Sequence, residues 1–152
     1  MKRIWLAASM FLVIMLTCCV GALKSDNEMS EKVSFEANMP ANDAYDVVLK
    51  HLKIKGYTFE LASKETGQIN TALFDERMVF LVISGSKLEV VFIDDGDKTT
   101  TIVASVSTWR RHIRPTHTTP WEKRERDKDK TKKIAEEIKS TLVQKENKSA
   151  KK

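Results

Sequence analysis

The spacing of apolar residues changes from segment to segment along this chain. Val33, Phe35 and Ala37 alternate with polar residues, which predicts a first strand. Pro40 and Asn42 open a helix: proline suits the first turn, Asn42 is a suitable cap, and Asp43 sits near the positive end. Ala41, Ala44, Tyr45, Val48, Leu49 and Leu52 then recur at helical spacing, and Gly56 supplies the stop. Tyr57, Phe59 and Leu61 alternate, Lys64 to Gly67 have turn chemistry, and Ile69, Thr71 and Leu73 alternate again, predicting a hairpin. Met78 to Ile83 is an unbroken apolar run bounded by Ser84-Gly85-Ser86, which predicts a buried strand. Leu88 to Ile93 is its returning partner, Asp94-Asp95-Gly96-Asp97 a tight turn, and Thr99 to Trp109 the last strand. Residues 110–121 make an irregular link. Asp127 or Asp129 can cap a second helix, in which Thr131, Ile134, Ala135, Ile138 and Leu142 share one stripe.

The expected fold is α+β: an antiparallel sheet of five or six strands with two helices on one face, ordered β-α-β-β-β-β-β-α. The expected domain covers 33–144, with 145–152 a basic disordered tail. The helix–glycine–strand–turn–strand pattern, from Ala44-Tyr45 through Gly56-Tyr57 to Thr66-Gly67-Gln68-Ile69, resembles the TBP-like or helix-grip domains of several envelope lipoproteins. One of these accompanies the outer-membrane β-barrel assembly machinery. The resemblance implies a fold and a location, not an activity.

The N-terminus carries a separate message. Lys2 and Arg3 precede 13 uncharged, mostly apolar residues from Ile4 to Leu16, the layout of a secretory signal. Leu16-Thr17-Cys18-Cys19 resembles the lipobox of bacterial lipoproteins, which implies cleavage after residue 18 and acylation of Cys19. Cys18 stands where that family has Gly, Ala or Ser. Taking Cys18 as the lipid site instead would put Met15 and Thr17 in the recognition positions, a poorer match. An uncleaved transmembrane helix over Ile4–Leu23 and cleavage after Ala22 are the alternatives. In the lipoprotein reading 1–18 are the signal peptide, 19–32 the lipidated terminus and tether, and acyl chains such as palmitate make the anchor. Val20 is not the Asp that often marks inner-membrane retention, so the resemblance implies the outer membrane, facing the periplasm.

Charge adds one feature. Residues 109–152 hold 15 Lys and Arg against 7 Asp and Glu, whereas residues 20–108 hold 9 against 14. The overall +5 is thus a basic C-terminal part set against an acidic body. Trp109, Arg110, Arg111, Arg114, Trp121, Lys123, Arg124 and Arg126 are the candidate contacts for anionic lipid or an acidic partner.

Candidate chemistry is sparse. His112 and His117 lie among arginines, which disfavours a cation, and Asp94 to Asp97 lack the rest of a calcium loop. No nucleophile elbow or phosphate-binding glycine loop is present. The expected protein is therefore no enzyme and has no catalytic residue, metal or cofactor. It is an envelope module that binds an unknown envelope protein and no nucleic acid. The alternative is a carrier of a small apolar ligand or lipid, in a helix-grip cavity lined by Tyr45, Phe59, Phe80 and Phe92.

Overall fold

The sheet is built around one long hairpin. Strand β5 (Val82–Gly96) pairs with β6 (Thr99–His112) along almost its whole length, from Val82 opposite His112 to Gly96 opposite Thr99. The computed structural model describes residues 32–96 and 98–149, which belong to one compact unit. Cys18, Cys19, the apolar N-terminal run, the tether up to residue 31, Asp97 and residues 150–152 lie outside the described residues.

Near its turn the hairpin is flanked by β1 (Val33–Ala37) on β6 and by β3 (Gln68–Thr71) on β5, with β2 (Phe59–Ser63) outside β3. Its other half is flanked by β4 (Phe74–Val79) on β5 and β7 (Glu122–Arg126) on β6. All pairings are antiparallel, and the sheet has seven strands among the described residues. Helices α1 (Ala41–Ile54) and α2 (Lys128–Ser149) complete an α+β fold.

Both helices pack on one face. Leu88, Val90 and Phe92 of β5 lie opposite Val106, Ala104 and Ile102 of β6, and all six are buried. Onto them pack Ala44, Tyr45, Val48 and Leu52 from α1, and Ile134, Ile138 and Leu142 from α2. Each fully buried Leu or Ile contributes about 1.5–3 kcal/mol of gross hydrophobic stabilisation. Asp127 caps α2, its Oδ1 accepting from Lys130 N at 3.0 Å.

The hairpin changes neighbours midway, and two threonines close the gaps. Along β6, pairing with β1 stops at Ala104 and pairing with β7 starts at Ser107. Between them the Val106 N–H donates to Thr131 Oγ1 (2.9 Å), and its carbonyl accepts from Asp127 N (2.8 Å). On β5, β3 ends opposite Glu89 and β4 begins opposite Ser86. There the Leu88 N–H donates to Thr71 Oγ1 at 2.9 Å. Both threonines are fully buried.

Several expectations need correction. Met78–Ile83 is not one buried strand: the chain turns at Phe80–Leu81, and Ser84-Gly85-Ser86 lie inside β5. Gly85 fits there because β4 bulges over it, so a Cβ would sit 2.9 Å from Leu73 Cδ2. Residues 110–121 are not irregular throughout, since β6 runs to His112, and directly after them Glu122–Arg126 form β7. This all-polar edge strand has no apolar alternation to betray it, and it raises the count to seven. Asn42 does not cap α1, whose cap is Pro40 without a side-chain bond. The Pro40 carbonyl accepts from Asp43 N and Ala44 N instead. Helix α2 continues five residues beyond 144, to Ser149, so 145–149 are helical.

Candidate functional site: an apolar hairpin tip within a basic rim

Strands β4, β5, β6 and β7 together form an arm of the sheet in which none of residues 72–84 or 107–126 is fully buried. At its end Val79 pairs with Val82 and Met78 with Ile83, leaving Phe80 and Leu81 as the turn. Phe80 has φ +54° and is 93% exposed. A left-handed turn position is usually held by Gly, Asn or Asp, because a bulky side chain is strained there. Met78, Val79 and Leu81 are also exposed, so four successive apolar side chains face solvent.

The loop that follows β6 is tied to this tip, with Ile113 N donating to Leu81 O at 2.7 Å. A bridge between Ile113 and Thr118 closes that loop, and Arg114 N donates to His117 O at 2.9 Å. Two turns, 80–81 and 114–117, therefore sit together at one end of the molecule.

The structure sorts the sequence-predicted contact residues into two groups. Arg110, Arg111, Arg114 and Trp121 stand close to the tip. Arg111 lies opposite Ile83, and its guanidinium stacks over the Trp121 ring at 4.6 Å, while its Nε is buried without a hydrogen-bond partner. Arg110 is exposed, opposite Ser84. The other four lie further back along the arm. Trp109 is opposite Gly85, its Nε1 donating to Ser107 Oγ (3.0 Å) and its ring 4.9 Å from the Lys87 ammonium. Lys123 is opposite Trp109, Arg124 pairs with Glu122 at 3.0 Å, and Arg126 is opposite Ser107. Sequence reasoning missed Met78–Leu81 as surface residues, because an apolar run with no turn residue inside it signals burial. The lipid-site candidates Cys19 and Cys18 lie outside the described residues.

The four aromatics of the cavity alternative do not converge. Tyr45 and Phe92 meet edge to face in the core, with ring centroids 5.4 Å apart. Phe59 is half-buried against the core, and Phe80 is at the tip. A separate open cleft of about 380 Å³ lies between α1, α2 and β4, on a floor formed by Tyr57 and Phe74. Burial raises the Tyr57 phenol above its ordinary value. Two lysines of this cleft already have carboxylate partners: Lys55 with Glu137 at 3.2 Å and Lys130 with Asp75 at 3.1 Å.

His51 sits between the helices, its Nδ1 3.2 Å from Thr141 Oγ1. His117 Nδ1 lies 3.1 Å from Thr116 Oγ1, and the His112 N–H donates to Thr119 Oγ1. Among the described residues no three His, Cys, Asp or Glu side chains converge on a point that would hold a metal, and no helix is long and apolar enough to cross a membrane.

No family model matches this chain, and no curated protein is significantly similar to it.

Proposed function

We propose that this chain is a lipoprotein of the bacterial cell envelope whose folded domain acts by binding a protein partner rather than by catalysis. The Leu16-Thr17-Cys18-Cys19 stretch after an apolar run supports an acyl anchor on Cys19, and Val20 supports the outer membrane with the domain facing the periplasm. The binding part of this reading rests on one observation. The helices cover one face of the sheet, and the opposite face carries Leu61, Val91, Ile93 and Val103 without a covering helix among the described residues. Leu61 and Ile93 are exposed, and Val91 lies opposite a half-buried Val103.

Fatty-acid labelling of cells producing the Cys19→Ala chain tests the anchor. Labelling should disappear and the protein should leave the membrane fraction; undiminished labelling in the membrane refutes Cys19 as the lipid site. A photo-crosslinking residue in place of Leu61 tests the binding face in intact envelopes. A discrete protein adduct is expected, and its absence, with folding intact, refutes the assignment of that face.

A further inference from the structure

We propose that the β4–β5 tip is a wedge that enters the surface of an anionic lipid bilayer. Met78, Val79, Phe80 and Leu81 would pass the headgroups, and the arginines behind them would meet lipid phosphates. The proposal deepens the envelope reading and rests on it only for which membrane is met.

Shape favours a bilayer over a protein. Stable protein interfaces bury about 800 Å² on each side, and their anchor residues fill pockets within a wider patch. Four side chains on a two-residue turn make a small convex projection. A lipid surface accommodates such a point, because its headgroups part around it.

Charge favours an anionic surface. Residues 76–83 and 108–121 hold four cations (Arg77, Arg110, Arg111 and Arg114) against one carboxylate, Glu76. Glu122 and Arg124, further back along the arm, pair with each other. Trp121, half-buried beneath the Arg111 guanidinium, has the amphipathic character of side chains that settle at headgroup depth.

Chain direction permits it as well. Val33 enters the sheet opposite Ala104, and β1 runs from there to Ala37 opposite Thr100, away from the tip. The tip lies at the level of His112, eight residues further along β6, or about 26 Å at the strand rise. Thirteen residues, 20–32, separate Cys19 from Val33. Such a length reaches up to about 45 Å when extended. An acyl anchor on Cys19 and the tip can therefore engage one bilayer. That would add a second membrane contact to the acyl chains, and paired signals of this kind make attachment firm.

The test uses the full chain with p-benzoylphenylalanine in place of Phe80 or, as control, of Ile93 at the opposite end of the β5–β6 hairpin. Each is incorporated into vesicles of equal parts phosphatidylglycerol and phosphatidylcholine, or of phosphatidylcholine alone, and irradiated. Position 80 should yield severalfold more lipid adduct than position 93, and should lose most of it in the neutral vesicles or on Arg111→Ala with Arg114→Ala. Equal lipid adducts at the two positions would overturn the proposal, as would adducts at position 80 that are chiefly to protein in intact envelopes. Undiminished fatty-acid labelling of the Cys19→Ala chain, with the position-80 lipid adduct retained, would refute the Cys19 anchor and leave the wedge standing.

Discussion

The backbone N–H of Val106 donates to the side chain of Thr131, 25 residues away, at the point where β6 changes its neighbour from β1 to β7. A strand that changes partners leaves an unpaired N–H at the junction, and a buried unpaired N–H is costly. The same solution appears on β5, where Leu88 donates to Thr71. Thr131→Val and Thr71→Val keep the shape and remove the acceptor. Each should cost about 1–3 kcal/mol, read as a lower urea midpoint with an unchanged m-value. An exposed control such as Thr116→Val should move the midpoint little.

His51 should make stability pH-dependent. Burial lowers its pKa, nearby Lys55 lowers it further, and Glu137 partly opposes them. The unfolded chain therefore takes up the proton first as pH falls. Stability from this residue is fully present above the ordinary imidazole value of about 6.5 and is lost as pH drops from there through the lowered folded value. The His51→Gln chain should lose less stability than the native chain between pH 7.5 and 5.5. Equal losses would show that another group is responsible.

Two turn glycines should differ in their tolerance of alanine. Gly56 has φ +86° with open space where a Cβ would stand, so Gly56→Ala carries only the left-handed penalty, about 1–2 kcal/mol. Gly67 has φ +60°, and a Cβ there would lie 2.8 Å from the Phe92 carbonyl oxygen. That oxygen belongs to backbone held in place by the Phe92 N–H to Gly67 O bond of 2.8 Å. Gly67→Ala should therefore destabilise clearly more than Gly56→Ala in parallel thermal melts.

Phe80 and Phe92 should respond in opposite ways to replacement. Phe92→Ala empties a core position and should cost about 3–5 kcal/mol. Phe80→Asn relieves a left-handed backbone and uncovers nothing, so stability should hold or rise by up to about 1 kcal/mol. A large loss for Phe80→Asn, measured by urea unfolding, would mean that the tip is part of the folding core.

Much of the fold was legible along the chain. The α2 stripe of Thr131, Ile134, Ala135, Ile138 and Leu142 is buried as its spacing predicts, and Asp127 caps the helix. Gly56 ends α1 and Gly67 turns β2 into β3 as local chemistry demands. Of the candidate contact residues, Arg111 and Trp121 do come together, ten residues apart, through the return of β7 along β6. The tip itself was not legible. Phe80–Leu81 contains none of the residues that announce a turn, and β7 contains no apolar alternation.

The order of residues was enough for whatever depends on near neighbours: helical and strand periodicity, caps, glycine turns, the α+β class and the polarity of each segment. Which apolar run is covered was settled only by packing in three dimensions. Hydrophobicity states that Met78–Leu81 would gain from leaving water, but burial needs a second surface, and both helices lie further down the sheet. Packing also settled where β5 and β6 exchange neighbours, because an edge N–H takes whichever acceptor the rest of the fold brings to it.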